Sequence, residues 1–482
     1  MFLIKKLYFS IFLIKILFCS FISIPASAEE LSRPNIIFIL ADDLGWGDFS
    51  IYGHPEMNTP NIDGLAKKGK LFTQFYVNSG VCSPSRVSFT TGHFPSRHGV
   101  HGHFSSPQEN QARNMPNWLD TSVATVAGQL KSAGYATAHF GKWHMCMIPS
   151  EDAPSLEEYG FDKSYGYLAP GAQLPIETTN NPYFRAQSTK TIIDETLRFL
   201  KDNPDKPCYI NAWTLIPHTI LNPTPSQMEP FLKYAPKIKG KTHLGAKVVY
   251  YSTLNDFDEQ IGRLVEGLEA LNIADNTLVI ITSDNGPEDV MLDHNGAAHE
   301  GIGSVGPFRG RKRSLYEGGI RVPLIVKWPK KIEQGVVDND TVISAIDFMP
   351  TLCAIAGADI PKGQYPIDGE NMIEAFLNNS IKRKKPLVWQ YPFEIKFGHI
   401  LDKSPAMAIR DGDWKLLINP SGNRAELFNI VEDPSELNNL AHQNSSIVEE
   451  MSGKLKGIID NMPQSFISDK AGDNSYSWPK GK

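Results

Sequence analysis

Cysteine is scarce in this 482-residue chain, with five in all: Cys19, Cys82, Cys146, Cys208 and Cys353. So few, with no pair at zinc-finger spacing, exclude a disulfide framework and a cysteine-built zinc site. Internal repeats and low-complexity tracts are absent, which excludes a repeat array. Positive charge is not in excess either: 47 Lys and Arg stand against 53 Asp and Glu. That excludes a broadly basic protein coating nucleic acid. No apolar run is long enough to span a bilayer. Lys15 splits the N-terminal one and leaves Ile16 to Ile24 as its longer piece. Lys5 and Lys6, that apolar stretch, and Ala26-Ser27-Ala28 together read as an export signal cleaved after Ala28. Cys19 lacks the small residue that precedes a lipoprotein cysteine, so neither a lipid nor a stable membrane anchor is expected. Cleavage removes three lysines and no acid, taking the net charge from −6 to −9. A periplasmic or extracellular protein is expected.

What the chain does have is an alternation of β-branched apolar runs with amphipathic helical stretches. This pattern signals an α/β fold, a mostly parallel sheet covered by helices. Four runs share one property. Asn35 to Leu40 ends at Asp42-Asp43, and Tyr135 to Phe140 at Lys142-Trp143-His144. Cys208 to Leu215 ends at Pro217-His218, and Leu278 to Ile281 at Asp284-Asn285. In open parallel sheets the carboxyl edge binds ligands, so these four endings are expected to converge. Helices are expected over Ala124–Ser132, Thr191–Asp202 and Leu254–Leu271. Beyond about residue 375 the texture changes to short strands (Leu387–Tyr391, Ala406–Arg410, Trp414–Ile418) with an Asp411-Gly412-Asp413 hairpin turn. A helix near Ser446–Ile459 follows. The expected organisation is a signal segment over 1–28, a catalytic domain over 29–375 and an antiparallel C-terminal subdomain over 376–482.

Cys82-Ser83-Pro84-Ser85-Arg86 places Pro84 in the first turn of a helix and Cys82 at its N-terminus, a position that favours an anion. On these grounds Cys82 is either an activated thiolate or an inert buried thiol. Asp42-Asp43 and Asp284-Asn285 offer only oxygen, which suits calcium or magnesium, although each pair alone is also ordinary turn chemistry. Lys142 and His144 bracket Trp143, and alternation along an extended segment would send both to one side. The basic run Arg309 to Arg313 reads as surface. Its neighbour, Glu317-Gly318-Gly319-Ile320-Arg321-Val322-Pro323, reads as a tight turn entering another buried strand, Leu324-Ile325-Val326, which places at least one basic side chain near the core.

Cys82-x-Pro84-Ser85-Arg86 with Thr91-Gly92 resembles the signature of the type I sulfatases, in the alkaline-phosphatase-like superfamily. Gly141-Lys142-Trp143-His144, Ser283-Asp284-Asn285-Gly286, Gly310 to Gly319 and the tail Glu426-Leu427-Phe428-Asn429 resemble the family's other motifs, in order. Arg311, Tyr316, Met145 and Cys146 depart from the common pattern without removing a catalytic group. The resemblance implies a large, mostly parallel sheet sandwiched by helices, with a small C-terminal domain of antiparallel strands and a helix. It implies that a maturation enzyme oxidises Cys82 to formylglycine, whose hydrate attacks sulfur and then expels sulfate by C–O cleavage. It implies calcium held by Asp42, Asp43, Asp284, Asn285 and the modified Cys82. Arg86 would hold the hydrate, and Lys142 and Lys312 the sulfate. His144 would accept the hydrate's proton. His218 would protonate the leaving oxygen, alone or with Lys312.

The loops between motifs should choose the substrate. His98 to Trp118 carries His98, His101 and His103, and residues 287–307 add His294 and His299. Such polar loops suit sugar hydroxyls, so a sulfated polysaccharide or oligosaccharide is the expected substrate. The alternatives are an arylsulfatase for small esters and a phosphonate or phosphodiester hydrolase. A third is a carbohydrate-binding pseudo-sulfatase, which should have lost the nucleophile or a metal ligand; this chain keeps both.

Overall fold

The computed structural model describes residues 33–146, 152–176, 181–238, 241–242, 244–289, 298–377, 379–393, 395 and 398–463. The proposed signal segment and His294 lie outside them. Among the described residues no helix is long and apolar enough to cross a membrane.

Eleven of the strands come before the chain's last quarter. They are β1 (Asn35–Asp42), β2 (Lys70–Tyr76), β3 (Ala136–Lys142), β4 (Lys163–Tyr167), β5 (Cys208–Pro217), the two-residue ribbon β6 (Lys237–Ile238) with β7 (Lys241–Thr242), β8 (Thr277–Ser283), β9 (Arg321–Lys327), β10 (Val336–Asp338) and β11 (Ile343–Ser344). A nine-stranded sheet runs in the order β10-β2-β9-β8-β1-β5-β3-β4, with β11 also on β2. β4, β3, β5, β1 and β8 pair in parallel, and β9 runs antiparallel to both β8 and β2. Each strand predicted from an apolar run is therefore present, and the sheet is mostly parallel.

Because side chains alternate along a strand, β1 contributes to two cores. Ile36, Phe38 and Leu40 face one, with Phe89, Trp213 and Phe348. Ile37, Ile39 and Ala41 face the other, with Phe199, Leu254 and Ile261. Helices cover both faces. Phe184–Asp202 and Ala246–Ala270 each begin about two turns before the stretch predicted for them.

The small sheet comprises β12 (Leu387–Gln390), β13 (Met407–Asp411), β14 (Trp414–Ile418) and β15 (Glu426–Asn429), paired antiparallel in that order. Its helix is Ser445–Ile459. The strand β15 had been read only as a motif. Leu387, Trp389, Leu416 and Leu427 join the first core, so the two sheets share apolar packing. They also share buried charge. Lys415 Nζ reaches Glu317 Oε1 at 2.8 Å and Glu436 Oε1 at 2.9 Å, with all three side chains fully buried. Burial pushes the Glu436 carboxyl up to about 7, against the pull of Lys415.

Removing the lysine leaves two buried acids facing each other. Lys415→Met is expected to cost about 3–5 kcal/mol, read as a lower denaturant midpoint. An unchanged midpoint would show that the two sheets do not depend on this triad.

Candidate active site

Gly141 prepares the turn at the end of β3. Its φ is +109°, and a Cβ there would lie 1.8 Å from the Trp213 carbonyl oxygen on β5. Only glycine fits such a contact. It lets β3 and β5 close together just before Lys142, which leaves the strand pointing at β1. Lys142 Nζ donates to both Asp42 carboxylate oxygens at 2.7 Å. His144 does not follow by simple alternation, as the sequence had suggested. Its φ is +55°, a left-handed conformation that a non-glycine residue adopts only when its surroundings enforce it. Here Trp143, fully buried and stacked on Trp213 at 6.2 Å, anchors the bend. The result brings His144 Nδ1 to 3.2 Å from Cys82 Sγ.

Cys82 opens the helix Cys82–Thr91, with Pro84 in its first turn as expected, and is 3 % exposed. One turn on, Arg86 is fully buried. Its Nε and Nη2 donate to Asp284 Oδ2 at 2.9 and 2.7 Å, and Nη1 donates to the Lys142 carbonyl at 2.6 Å. The guanidinium thus joins the Cys82 helix, β3 and the end of β8. An oxygen of Asp42, Cys82 Sγ and an oxygen of Asp284 lie within 4.8 Å of one another.

Asp43 has φ +67° and lies among several partners. Its amide donates to Asp284 Oδ1 at 3.1 Å, and Asn285 Nδ2 donates to its Oδ1 at 2.6 Å. Lys312 Nζ pairs with its Oδ2 and lies 3.4 Å from Glu288. His218 Nε2 is 3.6 Å from the same Oδ2, with its ring 29 % exposed. All ten residues named from sequence therefore meet at the carboxyl edge.

Four carboxylates (Asp42, Asp43, Asp284, Glu288) face four permanent cations (Arg86, Lys142, Lys312, Arg313). Burial is the largest influence on Asp42 and opposes its charge, but Lys142, His218, Arg86 and Lys312 together hold it well below the usual carboxylate range. Burial wins at Asp284, pushed up to about 8, with Asp42 adding to the rise. His144 and His218 are both driven well below the ordinary histidine range by burial, then by Lys142 and Lys312 respectively.

Sequence reasoning missed Glu288, which holds Lys312 and bonds Arg313 Nη2 at 3.0 Å. It also missed Arg185, which donates to the His218 carbonyl at 3.1 Å. Neither carries a motif. Of the loop histidines, His98 meets His93 at 3.1 Å and His101 is buried. His103 is exposed and lies within the fields of His144 and Lys312.

Residues 34–358 match the Sulfatase family model, and 306–461 match N-sulphoglucosamine sulphohydrolase, C-terminal. An N-acetylgalactosamine-6-O-sulfatase of Bacteroides thetaiotaomicron is 29 % identical over 90 % of this chain and 94 % of its own. Human arylsulfatase A is 30 % identical over 82 % of this chain and 76 % of its own. The crystal structure of Ps i-CgsB in complex with k-i-k-neocarrahexaose aligns with a TM-score of 0.73 at 28 % identity, covering 90 % of this chain and 95 % of that one.

The buried histidines make acid stability a measurable property. His139, enclosed by Trp143, Phe161 and Trp213, is driven by burial down to about 3. The folded chain refuses a proton that the unfolded chain accepts below its ordinary pKa of 6.5. Stability is therefore full above 6.5 and lost as pH falls from 6.5 toward 3. His139→Phe is expected to flatten that loss by about 1.4 kcal/mol per pH unit in urea titrations. An unaltered slope would mean His139 is charged in the fold.

Proposed function

Because the chain belongs to the type I sulfatase family and is a sulfuric ester hydrolase, we propose that it removes sulfate from a sulfated saccharide, using an aldehyde made from Cys82 and a bound calcium ion. One observation carries this reading. Cys82 stands at a helix start with His144 on its sulfur, and the oxygens of Asp42 and Asp284 lie within 4.8 Å.

The donor set fits calcium. Asp42, Asp43, Asp284 and Asn285 present only oxygen and would hold the ion together with an oxygen on the modified Cys82. Asn285 Oδ1 is buried without a hydrogen-bond partner. Asp284 is pushed up to about 8 by burial, a cost that a cation beside it would relieve. When bound, the ion would neutralise sulfate oxygens and ease ionisation of the nucleophilic hydroxyl. The aldehyde, once hydrated, would supply that hydroxyl and a second one able to release sulfate. Its formation needs a formylglycine-generating enzyme, and export would use residues 1–28.

The chain's own groups divide the remaining work. Lys142 and Lys312 donate to the sulfate oxygens, where negative charge builds. Arg86 steadies the hydroxyls on position 82 while its other edge braces Asp284. His144, neutral in the free protein, takes a proton through Nδ1 at the atom it already faces. His218 Nε2 delivers a proton to the leaving sugar oxygen. The negative charge of a bound sulfate ester raises its proton affinity toward that task.

Matured protein is expected to hydrolyse sulfated saccharides far faster than phosphodiesters, and Cys82→Ser should abolish turnover without unfolding the chain. The tryptic peptide Leu71–Arg86 should be lighter than its sequence mass by the difference between a thiol and an aldehyde. A dominant phosphodiester rate would replace the sulfatase reading. An active preparation with an unmodified peptide would end the aldehyde mechanism.

Calcium at one hundred times its Kd should stabilise the fold by about 2.7 kcal/mol, visible as a raised melting temperature. Asn285→Leu should remove most of that response. A melting temperature indifferent to calcium and to chelator would contradict the metal assignment.

A further inference from the structure

We infer that the pocket selects a saccharide bearing anionic groups beyond the sulfate it cleaves, held by Arg113 and Arg185 on either side of the reacting group. This rests on the sulfatase reading and narrows its substrate class.

Charge pairing separates these two arginines from most others around the site. Inside the site the cations meet carboxylates: Lys142 with Asp42, Lys312 with Asp43, Arg86 with Asp284, Arg313 with Glu288. Arg97 pairs with Asp368, Arg263 with Asp194 and Arg383 with Asp347, whereas Arg311 donates to the carbonyls of Glu288, Gly301 and Gly303 and Arg410 to Tyr76 and Gln74. Arg113 and Arg185 meet no carboxylate among the described residues. Arg113 donates to the His103 carbonyl at 3.3 Å and lies over the Phe393 ring at 5.6 Å. Arg185 donates to the carbonyls of Leu215 and His218 at 2.7 and 3.1 Å and to the Tyr167 hydroxyl at 3.2 Å. It lies over the Tyr167 ring at 5.3 Å. Both side chains are partly exposed. Ring faces and carbonyls fix the plane of each guanidinium without cancelling its charge. What remains is a forked donor set suited to a planar carboxylate or a sulfate.

Their placement makes them a pair. Arg185 follows Phe184, which packs in the core on one face of the sheet, and its guanidinium reaches the end of β5 beside His218. Arg113 follows the helix Pro107–Ala112, in a loop whose Phe104 and Met115 belong to the core on the other face. His103, whose carbonyl Arg113 holds, precedes Phe104, whose amide donates to Ser83 Oγ at 3.1 Å beside Cys82. Tyr391 packs edge-on against Phe393, the ring under Arg113, with centroids 5.6 Å apart. The two arginines therefore reach the catalytic edge from opposite faces. A small monosulfated ester would satisfy only Lys142 and Lys312. A chain with sulfates or carboxylates on neighbouring sugars would place an anion against each arginine as well.

The test uses the matured full-length protein. Calorimetry measures binding of galactan and glycosaminoglycan oligosaccharides that share a backbone and carry one sulfate or several. Hydrolysis of 4-nitrophenyl sulfate is followed in parallel. On at least one backbone the multiply sulfated chain should bind at least about ten-fold more tightly than the singly sulfated one. R113Q and R185Q should each lose most of that preference and flatten its salt dependence, and R113Q, which touches no catalytic group, should show a far smaller change in kcat/KM for the aryl ester. No preference on any backbone would overturn the proposal. So would an R113Q protein that loses aryl-ester turnover in parallel with saccharide binding, since that is the signature of a structural role. A protein that binds multiply sulfated chains through these arginines but cleaves no sulfate ester would sink the hydrolase reading instead.

Discussion

The Arg86–Asp284 pair is the contact on which the site depends. It is fully buried, so water does little to screen it, and removing either partner would leave the other as an uncompensated buried charge. It fastens the helix that begins at Cys82 to the end of β8. Through the Lys142 carbonyl it also fastens that helix to the end of β3. Three segments far apart in sequence are thereby held within a hydrogen bond of one another. The Lys142–Asp42 and Lys312–Asp43 pairs extend the same balance outward. Compensation is complete in number but not in local strength, because Asp284 still pays for its burial with a raised pKa. A site built this way is densely charged, largely buried and nearly neutral in sum, which makes it receptive to a cation and an anion arriving together.

Much of this was legible in the chain because strand ends carry it. A buried β-strand announces itself by its apolar run, and the residue after it must lie at the sheet's edge. Asp42, Lys142, His218 and Asp284 all follow that rule. The helix at Cys82 was legible from Pro84. Conformation at single residues was not. The left-handed turns at Asp43 and His144 are imposed by neighbours such as Trp143, and alternation alone misdescribes how His144 arrives. Glu288 and Arg185 were invisible for a different reason. Each acts from a loop or a helix face, where a charged residue is usually solvated, and only the folded chain shows what it touches. The reversed direction of β9 was equally hidden, since an apolar run does not reveal its polarity.

The fold explains why these loops can vary while the chemistry is held. Both cores lie beneath the edge, one on each face of the sheet, and the catalytic groups are strand or helix termini rooted in them. His103 and Arg113, the latter proposed to recognise the substrate, hang from segments between those roots. Changes there can alter which sugar is admitted without disturbing the distance from His144 to Cys82.

The burial of Cys82 has a consequence for when the protein is made, not only for how it works. At 3 % exposure, the side chain opens a helix of which every residue is buried. No enzyme could engage the surrounding segment as an extended peptide without dismantling the centre of the sheet. The oxidation proposed for this residue must therefore precede folding. Maturation and folding become rival first steps in the life of each molecule, and whichever comes first is irreversible in effect. On that proposal, a chain that folds early keeps its thiol and lacks the nucleophile. The specific activity of a preparation then records the outcome of that race in the cell that made it.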